Sequence, residues 1–426
     1  MSKLKELIET LCPNGVEYKT LGELGVFENV GIDKKTKPNE PLVQLLNYMD
    51  VYKNKYIDRT IPKMTVSAPE KKIQICSIKQ WDIFVTPTSE TRDDIGHSAV
   101  ITEDIAGAVY SYHIMRFRLN RPSRATACFI NYLFESKDVQ KQIYKFASGQ
   151  TRFGLSKYKF AEIRIPVPPL AVQEEIVSIL DRFSDYAAEL QAELQAELQA
   201  RKEQYEYYRN LLLTFNPSAS GYGTDGEQEN GNSRNTPPPH WLRNIEVEWK
   251  TLGEMCEILD SLRKPVAKGK RDKGAYPYYG ANGIQDYVDG YIFDGTYLLI
   301  GEDGSVMNRD KSPILNWATG KIWVNNHAHV LKEKEGVLLR FLFYALQRCD
   351  VSNIVRGTPP KLNQANLRNI SLPIPPLSVQ ERIVSILDRF ETLVNDLTQG
   401  LPAEMEAVGQ QYEYYRDRLL TFEQSA

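Results

Sequence analysis

IPVPPLAVQEEIVSILDRF at residues 165–183 returns as LPIPPLSVQERIVSILDRF at residues 372–390, 207 positions later. QYEYYRNLLLTF at 204–215 returns at the same offset as QYEYYRDRLLTF at 411–422. The intervening residues, 184–203 and 391–410, hardly match although their number is the same. Length kept without side chains kept predicts a helical spacer, where rise and rotation per residue matter more than chemistry. A third shared phrase, EYKTLGEL from Glu17 and EWKTLGEM from Glu248, stands at an offset of 231. Each unit of the repeat therefore opens on one shared phrase, diverges, and closes on a shared helix.

Both divergent blocks run into proline elbows, IPVPP at 165–169 and LPIPP at 372–376. Proline fixes φ and keeps its predecessor extended, so each elbow is a stiff hinge ahead of a helix. Ser378 and Glu381 predict a capping box in the second copy; Ala171 replaces that serine in the first, whose helix start is expected to be the weaker. Residues 172–215 contain no Pro or Gly, and 44 helical positions would span roughly 66 Å. Within them AELQAELQAELQ (188–199) places Leu190, Leu194 and Leu198 on a stripe that a spacing of four makes drift across the helix face. The second copy carries Gly400-Leu401-Pro402 in the equivalent stretch, which predicts a kink or break.

A chain of 426 residues suits two or three domains, and 42% apolar with 25% charged residues is globular. There is no apolar run of about 18 residues and no secretory leader pattern, so a cytoplasmic location is expected, with no membrane contact. The five cysteines (Cys12, Cys76, Cys128, Cys256, Cys349) include no CxxC pair, which leaves buried, inert thiols as the expectation. The net charge of −3 hides a division: residues 17–164 carry 23 basic against 17 acidic side chains, and 248–371 carry 17 against 14. Residues 165–215 and 372–426 each carry 4 against 9. Basic blocks can face phosphate; acidic helices must face something else.

Residues 1–16 predict a short amphipathic helix through Leu4, Leu7, Ile8 and Leu11. In the first block, strand-like runs at 74–78, 82–87, 106–112 and 116–119 precede helical patterns at 128–134 and 139–146. The second block has the same order, with strands at 290–301 and 321–331 and a helix at 336–346. Five segments result: a recognition block at 1–164, a shared helix at 165–215, a polar linker at 216–247, a second block at 248–371 and a second shared helix at 372–426. The linker holds a formal GxGxxG at 221–226, without the flanking strand and helix that a dinucleotide fold requires.

No GxxxxGK[ST], HExxH or GxSxG is present, nor the Asn-Pro-Pro-aromatic tetrapeptide with which an adenine-amino methyltransferase holds a flipped base. His327 and His329 could share a strand face, but no third ligand is evident, so no metal is expected. Binding and assembly are better classes than catalysis. Arg263, Lys264, Lys268, Lys270, Arg271 and Lys273 form a dense basic loop suited to phosphates. Ser89, Thr91 and Arg92 offer groups that pair with base edges. Before each elbow comes a matched phrase, Thr151-Arg152 with Leu155-Ser156-Lys157 and Thr358-Pro359 with Lys361-Leu362-Asn363. These predict either backbone contact with DNA, at Thr151, Arg152, Lys157, Thr358 and Lys361, or internal framing.

Two divergent domains, each followed by PxPPLxxQxxIxxxLDRF and a distal QYEYYRxxLL helix, resemble over nearly the whole chain the specificity subunit of a type I restriction–modification system. The AELQ tandem and the QYEYYR ends are similar to its IC group. Tyr278-Tyr-Gly-Ala-Asn-Gly283, Gly301-Glu-Asp-Gly304 and Trp323-Val-Asn-Asn-His-Ala-His329 resemble phrases of the family's target-recognition domains, which adds Asn282 and Asn325 to the DNA-binding candidates.

The resemblance implies an α+β fold of two α/β target-recognition domains separated by two long conserved α-helices that form an antiparallel coiled coil, a pseudo-two-fold internal repeat. Each domain would read one half of a bipartite, asymmetric site in double-stranded DNA. Two modification subunits would dock on the helical frame and methylate adenine N6, and restriction subunits would join them. S-adenosylmethionine, ATP and Mg would be held by those partners, with no cofactor and no catalysis in this chain. Tyr205, Tyr207, Tyr208, Tyr412, Tyr414 and Tyr415 are the expected partner interface, since aromatics anchor such contacts; packing of the two helices on each other is the competing use. Alternatives are a stand-alone DNA methyltransferase and a structural coiled-coil adaptor.

Overall fold

The protein is described by a computed structural model covering residues 3–215, 239–243, 245–396 and 399–425. The GxGxxG phrase and most of the polar linker lie outside these residues. The chain divides into two compact units, Met1–Glu193 with Met405–Ala426, and Leu194–Glu404. The C-terminal helix thus belongs with the first block, and the later part of the first shared helix with the second block.

In the first unit a five-stranded sheet runs in the order Gly25–Glu28, Met115–Leu119, Ile83–Val85, Ser98–Ile101, Tyr56–Ile57. A four-stranded sheet orders Met64–Ser67, Leu42–Leu46, Ile105–Tyr110, Ser77–Ile78. Strands such as Ile83–Val85 are apolar throughout because both faces are covered. Helix Arg124–Glu135 buries Phe129, Leu133 and Phe134 and is capped by Ser123 Oγ, which accepts from Thr126 N at 3.2 Å. In the second unit one six-stranded sheet orders Cys256–Ile258, Ala328–Glu333, Phe293–Gly301, Leu315–Val324, Lys273–Gly280, Gly283–Val288. Helix Leu339–Leu346 packs in its core.

Two sequence expectations change here. Residues 74–78 are not one strand: helix Glu70–Ile75 ends there and a two-residue strand, Ser77–Ile78, follows. Residues 321–331 are two strands, because Asn325 Oδ1 accepts from His327 N at 2.8 Å and turns the chain between them.

The shared phrases occupy the same structural positions in both copies. Glu17–Thr20 pairs antiparallel with Arg164–Val167, and Glu248–Thr251 with Ser371–Ile374. Each repeat therefore ends beside its own beginning. Thr20 and Glu23 form a capping box, as do Thr251 and Glu254. The backbone and side-chain hydrogen bonds from each threonine hold both carboxyls below the ordinary range.

At the elbows the proline is itself the cap. Pro169 O accepts from Val172 N at 2.9 Å and Pro376 O from Val379 N at 2.8 Å. The helices run Leu170–Leu212 and Leu377–Asn395. The capping box expected at Ser378 and Glu381 does not form, because Pro376 places the helix start ahead of Ser378, which lies inside the helix. Ser378 therefore gives the second start no capping advantage over Ala171 in the first. The buried glutamine of each VQE folds back on the elbow: Gln173 Nε2 donates to Pro168 O at 2.7 Å, Gln380 Nε2 to Pro375 O at 2.9 Å. Gln380 also donates to Gly336 O and accepts from Leu338 N, whereas Gln173 Oε1 has no partner among the described residues.

Leu170–Leu212 is unbroken over 43 residues. The second copy breaks where expected, with Leu377–Asn395 followed by Leu401–Leu420. A Cβ on Gly400 would lie 2.5 Å from Thr392 O and 2.8 Å from Leu393 O, so the tight return of chain at the break needs glycine.

Within the first unit Phe183 stacks on Tyr415 at 5.9 Å and 24°. Within the second, Tyr208 stacks on Phe390 at 5.4 Å and 25°. Phe183 and Phe390 are the same repeat position, and so are Tyr208 and Tyr415. Each distal block thus packs on the phenylalanine of the other copy. In a parallel pair Tyr208 would meet Tyr415 instead, so the exchange requires antiparallel helices. Gly409 and Gln191 confirm the direction in the first unit: they meet eight residues past Phe183 on one helix and six before Tyr415 on the other. The LDRF aspartates fasten the frame to the blocks: Asp181 accepts from Tyr132 OH at 2.7 Å and Arg124 at 2.9 Å, and Asp388 from Tyr344 OH at 2.5 Å and Arg340 at 2.7 Å.

Gln380→Ala leaves one buried and two part-buried backbone groups unmet and is expected to destabilise the second unit by about 2–4 kcal/mol, against about 1–2 for Gln173→Ala in the first. Chemical denaturation of the two variants, each compared with the parent chain, checks the ranking.

Candidate nucleic-acid interface

Each unit gathers its candidate residues from separated stretches. In the first, Ser148–Gly149, Phe153–Gly154 and Thr88–Ser89 form a small antiparallel sheet. Arg152 donates to Thr88 Oγ1 at 3.1 Å across 64 residues of sequence, and Arg92 lies over the rings of Phe153 (5.2 Å) and Tyr144 (5.3 Å). The stretches 88–92 and 149–153 are therefore one surface. Asp94 organises it, accepting from Ser89 Oγ at 2.6 Å and Tyr52 OH at 3.0 Å and lying 2.9 Å from His97 Nε2. Burial opposes its ionisation, but these partners hold its carboxyl below the ordinary range. Ser89, expected at a base edge, is instead buried and spends its hydroxyl on Asp94. Thr91, Thr151 and Arg152 are exposed, and Lys157 is half-buried with its ammonium 5.3 Å from the Tyr158 ring.

The second unit gathers its phrases around two acids. Glu302 accepts from Arg263 at 2.6 Å and pairs with Lys361 at 3.3 Å. Asp260 accepts from Gln364 at 2.9 Å and Val330 N at 3.1 Å, and lies 2.6 Å from His329 Nδ1, whose Nε2 is 2.7 Å from Leu362 O. Burial opposes ionisation of Asp260, but the His329 hydrogen bond and the charges of His329 and Arg263 hold its carboxyl below the ordinary range. Three of the expected side chains are engaged within the unit. The side chain of Arg263 is only 12% exposed and also donates to Ala328 O at 2.7 Å, so it frames the basic loop rather than facing DNA. Arg271 is held over the Tyr278 ring at 4.1 Å and beside Asp286 at 3.3 Å. Asn325 is buried and forms the turn to His327. Lys264, Lys268, Lys270, Asn282, Thr358 and Lys361 are exposed. The indole N–H of Trp323 donates to Lys264 O at 2.6 Å, pinning the backbone of a residue whose side chain is outside.

The matched phrases before the elbows act first as framing. Leu155 and Leu362 are buried, and Ser156 and Asn363 cap the short helices Lys157–Ala161 and Gln364–Arg368. Asp260, Glu302 and His329 place donor atoms within 4.8 Å of one another, but the guanidinium of Arg263 reaches both carboxylates, at 2.6 and 3.4 Å. An entering metal ion would have to displace it. His327 is on the surface turn while His329 is fully buried, so the two imidazoles do not share an environment.

The tyrosines divide as well. Tyr205 is buried against Phe390 and its phenol is pushed up to about 12, mainly by burial. Tyr208 stacks on Phe390, and Tyr412 OH receives a hydrogen bond from Lys55 at 3.2 Å. Tyr207, Tyr414 and Tyr415 remain exposed, at 37%, 56% and 41%, although Tyr415 also stacks on Phe183. Sequence reasoning assigned no role to the organising acids Asp94, Asp260 and Glu302, of which Glu302 alone stood in a quoted phrase, Gly301-Glu-Asp-Gly304. It also overlooked the exposed Ile284, Tyr287 and Tyr291, with Lys321 4.7 Å from the Tyr291 ring.

The family model described as type I restriction modification DNA specificity domain matches the chain twice, over residues 13–200 and 244–407. S.HindORF215P of Haemophilus influenzae, named for a type I restriction enzyme specificity subunit, is 45% identical over 188 residues, 43% of this chain and 48% of that protein. The chain thus spans about half the length of that relative. The EcoR124I/EcoR124II specificity subunit of Escherichia coli is 27% identical over 460 residues, 99% of this chain and 98% of that protein. A solved chain from work on complex assembly and conformational transition of the type I R-M system aligns with a TM-score of 0.60 over 96% of this chain and 98% of that one. At 18% identity this likeness is one of fold.

Replacing Lys264, Lys268 and Lys270 together with glutamine is expected to weaken duplex DNA binding similarly for all sequences and to reduce the salt slope by about 0.9 for each phosphate that the chain no longer neutralises. Arg263→Gln should instead lower the stability of the second unit by about 3 kcal/mol. DNA binding at several salt concentrations and thermal melting separate the two classes.

Proposed function

The chain belongs to the type I restriction modification DNA specificity family, and from that premise we propose that it is the sequence-reading subunit of a type I restriction–modification complex. Each unit reads one half of a bipartite, asymmetric site in double-stranded DNA. Two modification subunits dock on the helical frame and methylate adenine N6, one on each strand, and restriction subunits join for cleavage. S-adenosylmethionine, ATP and Mg belong to those partners, and the chain itself catalyses neither step.

The observation that carries this reading is the exchanged frame: two basic blocks of different sequence are held by helices that stack antiparallel, copy on copy. A stand-alone methyltransferase gives no reason for two divergent blocks on one kept frame, and neither does an adaptor that binds only protein. In each block, exposed cations and hydroxyls stand beside acids already engaged internally, Glu302 by Arg263 and Asp94 by the hydroxyls of Ser89 and Tyr52, which leaves them available to phosphate and base edges. Methylation needs the adenine out of the stack, so a rigid frame that aims a partner's pocket at one base suits the chemistry.

Helix Leu170–Leu212 is the ruler in this reading, since it is unbroken where its counterpart is interrupted. One AELQ unit adds about 6 Å and a net turn of about 40°, and one base pair adds about 3.4 Å and about 35°. Long-read methylome sequencing of a host expressing the chain with its modification subunit is expected to show an asymmetric bipartite motif. Deleting residues 196–199 is expected to shorten its gap by about one base pair with both half-sites unchanged. An unchanged gap would remove the ruler, and the absence of any bipartite motif would remove the function.

A further inference from the structure

The two copies of the QYEYYR helix end in different electrostatic surroundings. In the first unit Arg416 is buried and neutralised within the chain: Glu135 Oε2 lies 3.8 Å from its guanidinium and Asp417 Oδ1 3.1 Å. Lys55 and Lys137 complete the cluster, on Glu135 at 3.1 Å and on Asp417 at 3.5 Å. The corresponding arginine of the second unit, 207 positions earlier, is Arg209, beneath whose guanidinium Tyr205 lies as Tyr412 does beneath that of Arg416.

Both acids have been replaced. Asn210 stands where the other copy has Asp417. Gln347 stands where it has Glu135, three residues after the tyrosine that bonds the LDRF aspartate in each unit, Tyr344 on Asp388 and Tyr132 on Asp181. Arg209 Nη1 donates to the neutral Gln347 Oε1 at 3.2 Å, and Arg209 Nε is buried with no acceptor among the described residues. A positive charge has also been added, Arg348 in place of Ser136. Partial burial, and then the charge of Arg209, hold the Arg348 guanidinium below its ordinary range. The acid that feels Arg209 from the adjoining loop, Asp310, accepts hydrogen bonds from Ser312. A buried guanidinium N–H without an acceptor is costly, and a second cation beside it adds to the cost.

We propose that Arg209, Arg348 and Gln347 form a carboxylate-binding site, occupied in the assembled complex by an acidic side chain of the modification subunit that docks on the second unit. The ligand class follows from the first unit, where the same arginine is held by two carboxylates. Arg348 and Asn210 are exposed, so the site is open to a partner. Since the first unit closes its own site with Glu135 and Asp417, the two docking places are unequal, and the second depends on a charge brought by the partner. The proposal rests on the complex described above.

The test restores the first unit's chemistry in the second. In the full chain, Gln347→Glu with Asn210→Asp supplies the missing acids from within, and Arg348→Ser separately removes the added cation. Each is expressed with the modification subunit, and the affinity for the second copy of that subunit is read by titration followed by native mass spectrometry. The double variant is expected to melt higher than the parent and to bind the second modification subunit about tenfold or more weakly, with the first unaffected; Arg348→Ser is expected to weaken the same step without raising the melting temperature. A double variant that melts higher yet assembles like the parent overturns the proposal, and so does one that assembles normally but loses affinity for DNA, which would make the anion a phosphate. Failure of the parent chain to bind any modification subunit would instead sink the complex on which the proposal rests.

Discussion

The stacking of each distal tyrosine on the phenylalanine of the other copy is the contact on which the rest of this architecture depends. Phe183 with Tyr415 and Tyr208 with Phe390 lie at nearly the same distance and angle, so each unit pairs the helices of the two copies in the same way. The C-terminal helix consequently contributes Leu420 to the core of the first block, and the end of the first shared helix contributes Leu212 and Leu213 to that of the second. Neither block is complete without a helix from the other copy. The LDRF aspartates, the elbow glutamines and the capping boxes then fix each block on this frame at matching points.

That arrangement separates two kinds of constraint. Residues that hold the frame must be the same in both copies, because they make the same contacts: Asp181 and Asp388 receive a phenol and a guanidinium, and Gln173 and Gln380 a proline carbonyl as acceptor. Residues between them are free to diverge so long as the block closes on its opening strand. The sheets differ accordingly, five and four strands in one unit and six in the other, while the strand pairs that close the repeats keep one register. The proposed reading of two unlike half-sites needs this combination of identical fastenings and different contents.

The frame was legible in the sequence because it is encoded locally and twice: the elbows, the unbroken spacer and the Gly400-Leu401-Pro402 interruption all form as their residues predict. The direction of pairing was not, since a sequence repeat is compatible with either and only the exchanged stacks decide. The candidate site was legible in part. Counting basic residues drew attention to the loop at 263–273, but charge count cannot distinguish Lys268, which is outside, from Arg263, which is held by Glu302 39 residues away. Ser89 and Asn325 failed as surface contacts for a related reason, since their partners are an acid and a neighbouring turn whose positions depend on the folded block. The capping box at Ser378 failed because a local signal just past a proline was overruled by the proline itself.

Each half of the frame carries one of the proposed readers and makes the same exchanged stack. A chain cut to residues 1–215 retains one block, one Phe183 and one Tyr208, and two such chains can make the same exchanged stack with each other. Expressed with the modification subunit and read by methylome sequencing, this half-chain should methylate a symmetric bipartite site built from the first half-site and its inverted copy. Methylation of an isolated half-site, or of the asymmetric site of the full chain, would show that one half of the frame cannot pair with its own copy in this way.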